Sequence, residues 1–96
     1  MTILSVDPNT AQANTTVTVV ITGSGFQNGA VVTFEGGQGL PQEIMATQVV
    51  NSTTIIVTMT ARNDGTFGIQ VWDVRVTNPD NLTTVLSDAF TVIPAP

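Results

Sequence analysis

Residues 16–34 read TVTVVITGSGFQNGAVVTF, two alternating apolar runs on either side of a glycine-rich turn that carries one phenylalanine. Val17, Val19 and Ile21 alternate with Thr16, Thr18 and Thr22, and Val20 is the one break in the outer row. Side chains two apart share one face of a strand, so the run is a half-buried strand and not a helix. Its valines, isoleucine and threonines carry the branched β-carbon that suits a pleated surface. Gly23 and Gly25 end that strand at positions that call for positive φ or close backbone approach. Phe26 is expected to turn back beneath the sheet as a plug. The alternation then resumes, with Ala30, Val32 and Phe34 on one face and Val31, Thr33 and Glu35 on the other.

The rest of the chain repeats this grammar. Residues 2–6 form a first strand, stopped by Asp7-Pro8-Asn9; Pro8 cannot donate to a ladder and marks a kink or crossover at a sheet edge. Residues 10–14 read as a short polar connection, and residues 36–41 as a loop without periodicity. Residues 44–50 form a weaker strand, residues 51–53 a turn, and residues 54–60 a strong strand with Ile55, Val57 and Met59 facing one way. Residues 62–66 form a polar loop in which Asp64-Gly65 suits a tight turn. In the strand at 69–77, Trp72, Val74 and Val76 share one face, and Val71, Asp73, Arg75 and Thr77 the other. Asn78-Pro79-Asp80-Asn81 places proline at the second turn position. The last strand, residues 82–92, points Leu86, Phe90 and Val92 inward. Its alternation would bury the carboxylate of Asp88, so a bulge is expected at Asp88-Ala89 that turns it outward. About seven short strands with regular turn signals and no helical period predict an all-β fold, an antiparallel β-sandwich. Residues 1–92 read as one domain and residues 93–96, Ile-Pro-Ala-Pro, as the start of a proline-rich linker.

Composition narrows the functions open to such a sandwich. At 96 residues with 42% hydrophobic content, the chain is one domain that buries about two-thirds of its unfolded surface. Only 9% of the residues are charged, against about 25% in an average protein. Lysine is absent, Arg62 and Arg75 are the only basic side chains, and the net charge is −5. Polyanions are held by clusters of lysine or arginine, so nucleic acid and anionic membrane surfaces are poor partners. Without cysteine there is no disulfide, thiolate nucleophile or zinc–sulfur site. No segment approaches the roughly 20 apolar residues of a membrane span, and Met1-Thr2-Ile3-Leu4 lacks the basic flank of a signal peptide. A module of a longer secreted or cell-surface protein is the expectation, with Met1 as an added start and threonine, asparagine and glutamine solubilising the surface.

Several segments together resemble an IPT/TIG domain: Val19-Val20-Ile21-Thr22-Gly23-Ser24-Gly25-Phe26, Val31-Val32-Thr33-Phe34, and Asp73-Val74-Arg75-Val76-Thr77-Asn78-Pro79-Asp80. The opening Ile3-Leu4-Ser5-Val6-Asp7-Pro8 and the closing Asp88-Ala89-Phe90-Thr91-Val92 fit the same pattern. The resemblance implies an immunoglobulin-like, early-set sandwich. Two departures are visible: Asn81 stands where the family usually has glycine after Asn-Pro-Asp, and Glu35 precedes the Gly-Gly pair. Members of the family occur in plexins and receptor tyrosine kinases, in Rel-type transcription factors and beside bacterial glycosidase domains. The resemblance therefore names a scaffold, and function must be argued from a site.

Candidate chemistry is sparse. No histidine is present to serve a serine or threonine triad. Asp7, Glu35, Asp64, Asp73 and Asp80 lie in turns or on outer strand faces, where solvated carboxylates are ordinary, so catalytic residues are none and an enzyme is not expected. Gly23-Ser24-Gly25-Phe26-Gln27-Asn28-Gly29 approaches a dinucleotide fingerprint, but its third glycine is one place late. A strand follows instead of a helix, which leaves phosphate without an amide cradle; cofactors are none. Calcium wants clustered oxygens, and only loop carboxylates converging in space, with Asp7, Asp64 and Asp80 as contributors, would provide them. Sugar platforms need exposed aromatic rings. Trp72, Phe26, Phe34 and Phe90 read as core, which leaves Phe67 as the one ring in a loop, and Gly37 and Gln38 as further contact-surface candidates. Isopeptide self-stapling through lysine is excluded. Asn14, Asn51 and Asn81 head N-glycosylation sequons, which matter only in a secreted eukaryotic protein.

The leading expectation is a non-catalytic accessory or spacer module of a multidomain extracellular, bacterial protein, with neighbouring domains of the same polypeptide as partners. Two alternatives stay open: a carbohydrate-binding accessory module attached to a glycoside hydrolase, and a protein-recognition or dimerisation domain.

Overall fold

The computed structural model describes residues 1–37, 42–63, 65 and 68–94. Among them the strands are β1 (Thr2–Asp7), β2 (Thr10–Gln12), β3 (Thr16–Ser24), β4 (Val31–Glu35), β5 (Glu43–Asn51), β6 (Thr54–Thr60), β7 (Gln70–Thr77) and β8 (Thr83–Ile93). They form two four-stranded sheets in the orders β1-β3-β6-β5 and β2-β8-β7-β4. The result is the expected all-β sandwich of the immunoglobulin-like type.

The alternation seen in the sequence lines the space between the sheets. Val19 and Ile21 of β3 and Ile55, Val57 and Met59 of β6 meet Val32 and Phe34 of β4, Trp72, Val74 and Val76 of β7, and Phe90 and Val92 of β8, all buried. Phe34 and Phe90 pack edge to face, with ring centroids 5.5 Å apart, the arrangement that the aromatic quadrupole favours. Phe26 is buried as the plug. A Cβ on Gly23 would lie 2.0 Å from the Thr2 carbonyl oxygen and 2.8 Å from Cζ of Phe26, so only glycine lets β1 and the plug approach there. Gly25 answers the other need, with φ of 76°.

The structure differs from the sequence reading in residues 10–14. Instead of a connection, residues 10–12 form β2, which pairs in parallel with β8 through Thr10↔Thr91, Ala11↔Val92 and Gln12↔Ile93. Ala11 and Ala13 are buried. The strand is too short to display alternation, and the sandwich gains an eighth strand and one parallel pair. The crossover expected at Pro8 is what makes this possible: β1 closes one edge of the first sheet and β2 one edge of the second. The Asp7–Pro8 peptide between them is cis.

Other differences are small. Ile69 precedes β7 and is exposed, and Leu86 is half-buried. The bulge in β8 is as expected. Trp72 pairs with Phe90 but Val74 with Leu86, so three β8 residues oppose one β7 residue. Asp88 sits there at φ 54°, exposed, its N–H donating to Asp73 Oδ1 at 2.9 Å.

Register also fixes the two ends of the body. Thr2 pairs with Ser24, the Phe26 N–H reaches the Ser52 carbonyl, and Asn78 Nδ2 donates to the Gly25 carbonyl, so the chain enters at the end holding the β3–β4, β5–β6 and β7–β8 turns. At the opposite end the Ala13 N–H bonds the Ile93 carbonyl and the Asn14 N–H that of Ala61. The chain crosses from one end to the other of a body measuring 38 × 20 × 18 Å.

Candidate functional site

At the entry end, the Asn-Pro-Asp turn is welded to the glycine turn by one buried side chain. Asn78 receives the Gln27 N–H on Oδ1 at 3.1 Å and donates through Nδ2 to the Gly25 carbonyl at 2.8 Å. Its own carbonyl accepts the Asn81 N–H at 2.9 Å, the β-turn bond that proline at the second position favours. Asn81 stands at φ 71°, a backbone region for which asparagine is among the better non-glycine residues. That explains how it replaces the family's usual glycine. Asp80 belongs to the same assembly, accepting the Leu82 N–H at 3.0 Å and Gln27 Nε2 at 3.2 Å.

That engagement bears on calcium. Asp80 lies beyond the Thr77↔Thr83 pair at the entry end, whereas Asp7 lies at the far end of β1, opposite Val20. The five-residue step from Thr2 to Asp7 along β1 spans roughly 16 Å, so the two carboxylates do not converge; Asp64 lies outside the described residues. Among the described residues, no three His, Cys, Asp or Glu side chains are grouped to hold a metal.

Of the contact-surface candidates, Gln38 and Phe67 lie outside the described residues. Gly37 is half-buried, and a Cβ there would lie 2.4 Å from Cε2 of Trp72. Its backbone thus lies close against the indole. Trp72 is 4% exposed, a core side chain with no face for a sugar. Its Nε1 and the Nε2 of Gln42 are buried without a hydrogen-bond partner among the described residues. The sequon residues Asn14, Asn51 and Asn81 are all exposed, in turns or at a strand end. Asn51 Oδ1 is occupied by the N–H and hydroxyl of Thr53, at 2.9 and 2.8 Å.

Sequence reasoning missed a surface: the flank where β4 and β5 are the terminal strands of their sheets. Val31, Met45 and Val50 are exposed there at 57%, 60% and 49%, and β5 has most of its side chains in solvent. Alternation told which residues share a face, but not which strands would lack a neighbour. Arg75 pairs with Glu35 across the β4–β7 register on the outer face beside this flank.

Comparison with curated proteins found no match. The family model described as the IPT/TIG domain matches residues 1–91, a span running from the first strand almost to the end of β8, and the chain belongs to the IPT/TIG family.

Proposed function

We propose that the domain is a non-catalytic spacer and interaction module of a multidomain polypeptide on the outside of a bacterial cell. IPT/TIG domains are immunoglobulin-like modules, typically of larger proteins and generally without catalysis. The observation that carries the spacer reading is that the start of β1 and the end of β8 lie at opposite ends of the strands, in a body whose longest dimension is 38 Å. A sandwich threaded in this way holds whatever precedes it apart from whatever follows. Its stiffness comes from a continuous core shared by both sheets, and its side-chain bonds tie the entry-end turns together. The surface fits exposure outside cells: no lysine, few charges, and threonine, asparagine and glutamine in their place. Neighbouring domains of the same chain are the partners in this reading. A glycan-binding role finds no ring to rest on among the described residues, since Trp72, Phe26, Phe34 and Phe90 are all core.

The test places one, two or three copies of the domain between two fluorophore-bearing modules and reads end-to-end distance by energy transfer and small-angle scattering. The expected result is a narrow distance distribution that lengthens by about the long dimension of the body with each copy. A broad distribution that grows with the square root of copy number, as flexible linkers do, would overturn the reading.

A further inference from the structure

We infer that two copies of this chain associate through β4, edge to edge about a two-fold axis at Thr33, to join their second sheets into one. An edge strand presents unpaired N–H and C=O groups that template pairing with another chain, and proteins blunt such edges with bulges, brevity, proline or charge, lysine above all. The four edges of this sandwich are treated unequally. β1 carries a register break between Ile3 and Ser5. β5 carries two, between Ile44 and Ala46 and between Val49 and Asn51. β2 has only three residues and follows Pro8. β4 has neither a bulge nor a proline: its five residues pair one-to-one with β7 from Val31↔Thr77 to Glu35↔Asp73. Lysine is absent from the whole chain, and the one charge on β4, Glu35, is paired with Arg75 of the same copy.

A second copy fits this edge better than an unrelated strand, because the sequence is matched to itself. With Thr33 opposite its equivalent, Val32 lies opposite Phe34 on the core side, and no like charges meet. Glu35 falls opposite Val31, whose side chain is largely exposed. The same axis brings the two β5 strands together. Ile44 and Val49 of β5 are only partly buried on the core side, between the sheets at a flank where no strand lies beyond β4 among the described residues. Met45 and Val50 stand in its bulges exposed. A partner in this position covers them. A ladder of five residues is small beside the roughly 1,600 Å² of a standard interface, so the association is reversible and concentration-dependent. It is independent of the spacer reading, which requires only a rigid body.

Sedimentation equilibrium on the folded domain over a concentration series tests the dimer directly, with the mass expected to rise toward twice that of the chain. Thr33→Lys, on an outward-facing position, places two ammonium groups opposite each other at the axis and is expected to hold the mass at one chain with an unchanged melting midpoint. Thr33→Cys, in a chain without other cysteines, is expected to form a disulfide-linked dimer on mild oxidation far faster than Thr18→Cys on the outer face of the other sheet. Directly opposed residues bring their Cβ atoms to about 4.5–5.5 Å, near disulfide range, only if the axis passes through this position. A single-chain mass at every concentration, a dimer that survives Thr33→Lys, or equal cross-linking of the Thr18 and Thr33 variants would each overturn the proposal. Should Thr33→Lys fail to fold, the cross-linking comparison decides alone.

Discussion

Asn78 does more for this fold than its type suggests. It is 3% exposed, and its amide fills one donor and one acceptor need of the Gly25–Gln27 backbone. Removing the amide leaves the Gln27 N–H and the Gly25 carbonyl without protein partners in a partly closed turn, at about 1–3 kcal/mol for each group that water cannot reach. Asn78→Ala is therefore expected to lower unfolding free energy by about 2–4 kcal/mol in urea denaturation. Asn78→Asp keeps the acceptor but loses the donor to Gly25 and should fall between; equal stability of all three proteins would contradict the assignment. Phe26, held by the same turn, is a buried aromatic whose truncation to alanine costs about 3–5 kcal/mol. A near-neutral melt for Phe26→Ala would show that it is no plug. The side chain was legible in the sequence from its place after two glycines. The Asn78 bond was not, because it joins residues 51 and 53 positions apart and no local pattern encodes that distance.

At the scale of elements, legibility follows strand length and burial. β3, β6 and β7 stand inside their sheets and show seven to nine residues of alternation, so period alone sufficed. β2 has three residues and its inward side chain is Ala11, too little for any periodic signal. β5 is legible only weakly because an edge strand with two bulges has most of its side chains in solvent, which is also why the flank it borders escaped notice. The candidate site was less legible than the fold. Gly37 is a contact-surface candidate because glycine-rich loops often make contacts, and the constraint that the structure adds, the indole of Trp72, is distant in sequence. The pairing of β1 and β2 on opposite sheets makes a further expectation. Deleting residues 2–12 removes one edge strand from each sheet and uncovers Ile21 and Val92, against which they lie. That deletion is expected to abolish the cooperative thermal transition, whereas removal of Met1 alone should leave it intact. A cooperative melt for the longer deletion would mean that the six central and remaining edge strands fold without them.

For the whole molecule, seven carboxylates against two guanidinium groups make a cation the obvious ligand to consider, and the geometry argues against one. A calcium ion needs six to eight oxygens converging on a point. Among the described residues the acids named here stand apart: Asp7 sits at the β1–β2 crossover, Glu35 is bound to Arg75, Asp73 to the Asp88 backbone, and Asp80 to Gln27 and Leu82. Each of the last three already serves a protein donor that would have to be released. Any ion that binds the folded chain alone raises its stability by RT ln(1 + [L]/Kd), about 2.7 kcal/mol at a hundredfold excess over Kd. For a domain of this size each kilocalorie moves the midpoint by roughly 4–8 °C, so binding could not pass unseen. Melts with calcium in excess and with chelator are expected to superimpose, apart from a small rise common to any salt as charge repulsion is screened. Magnesium at equal ionic strength is the control. A midpoint raised by calcium and not by magnesium would overturn this expectation.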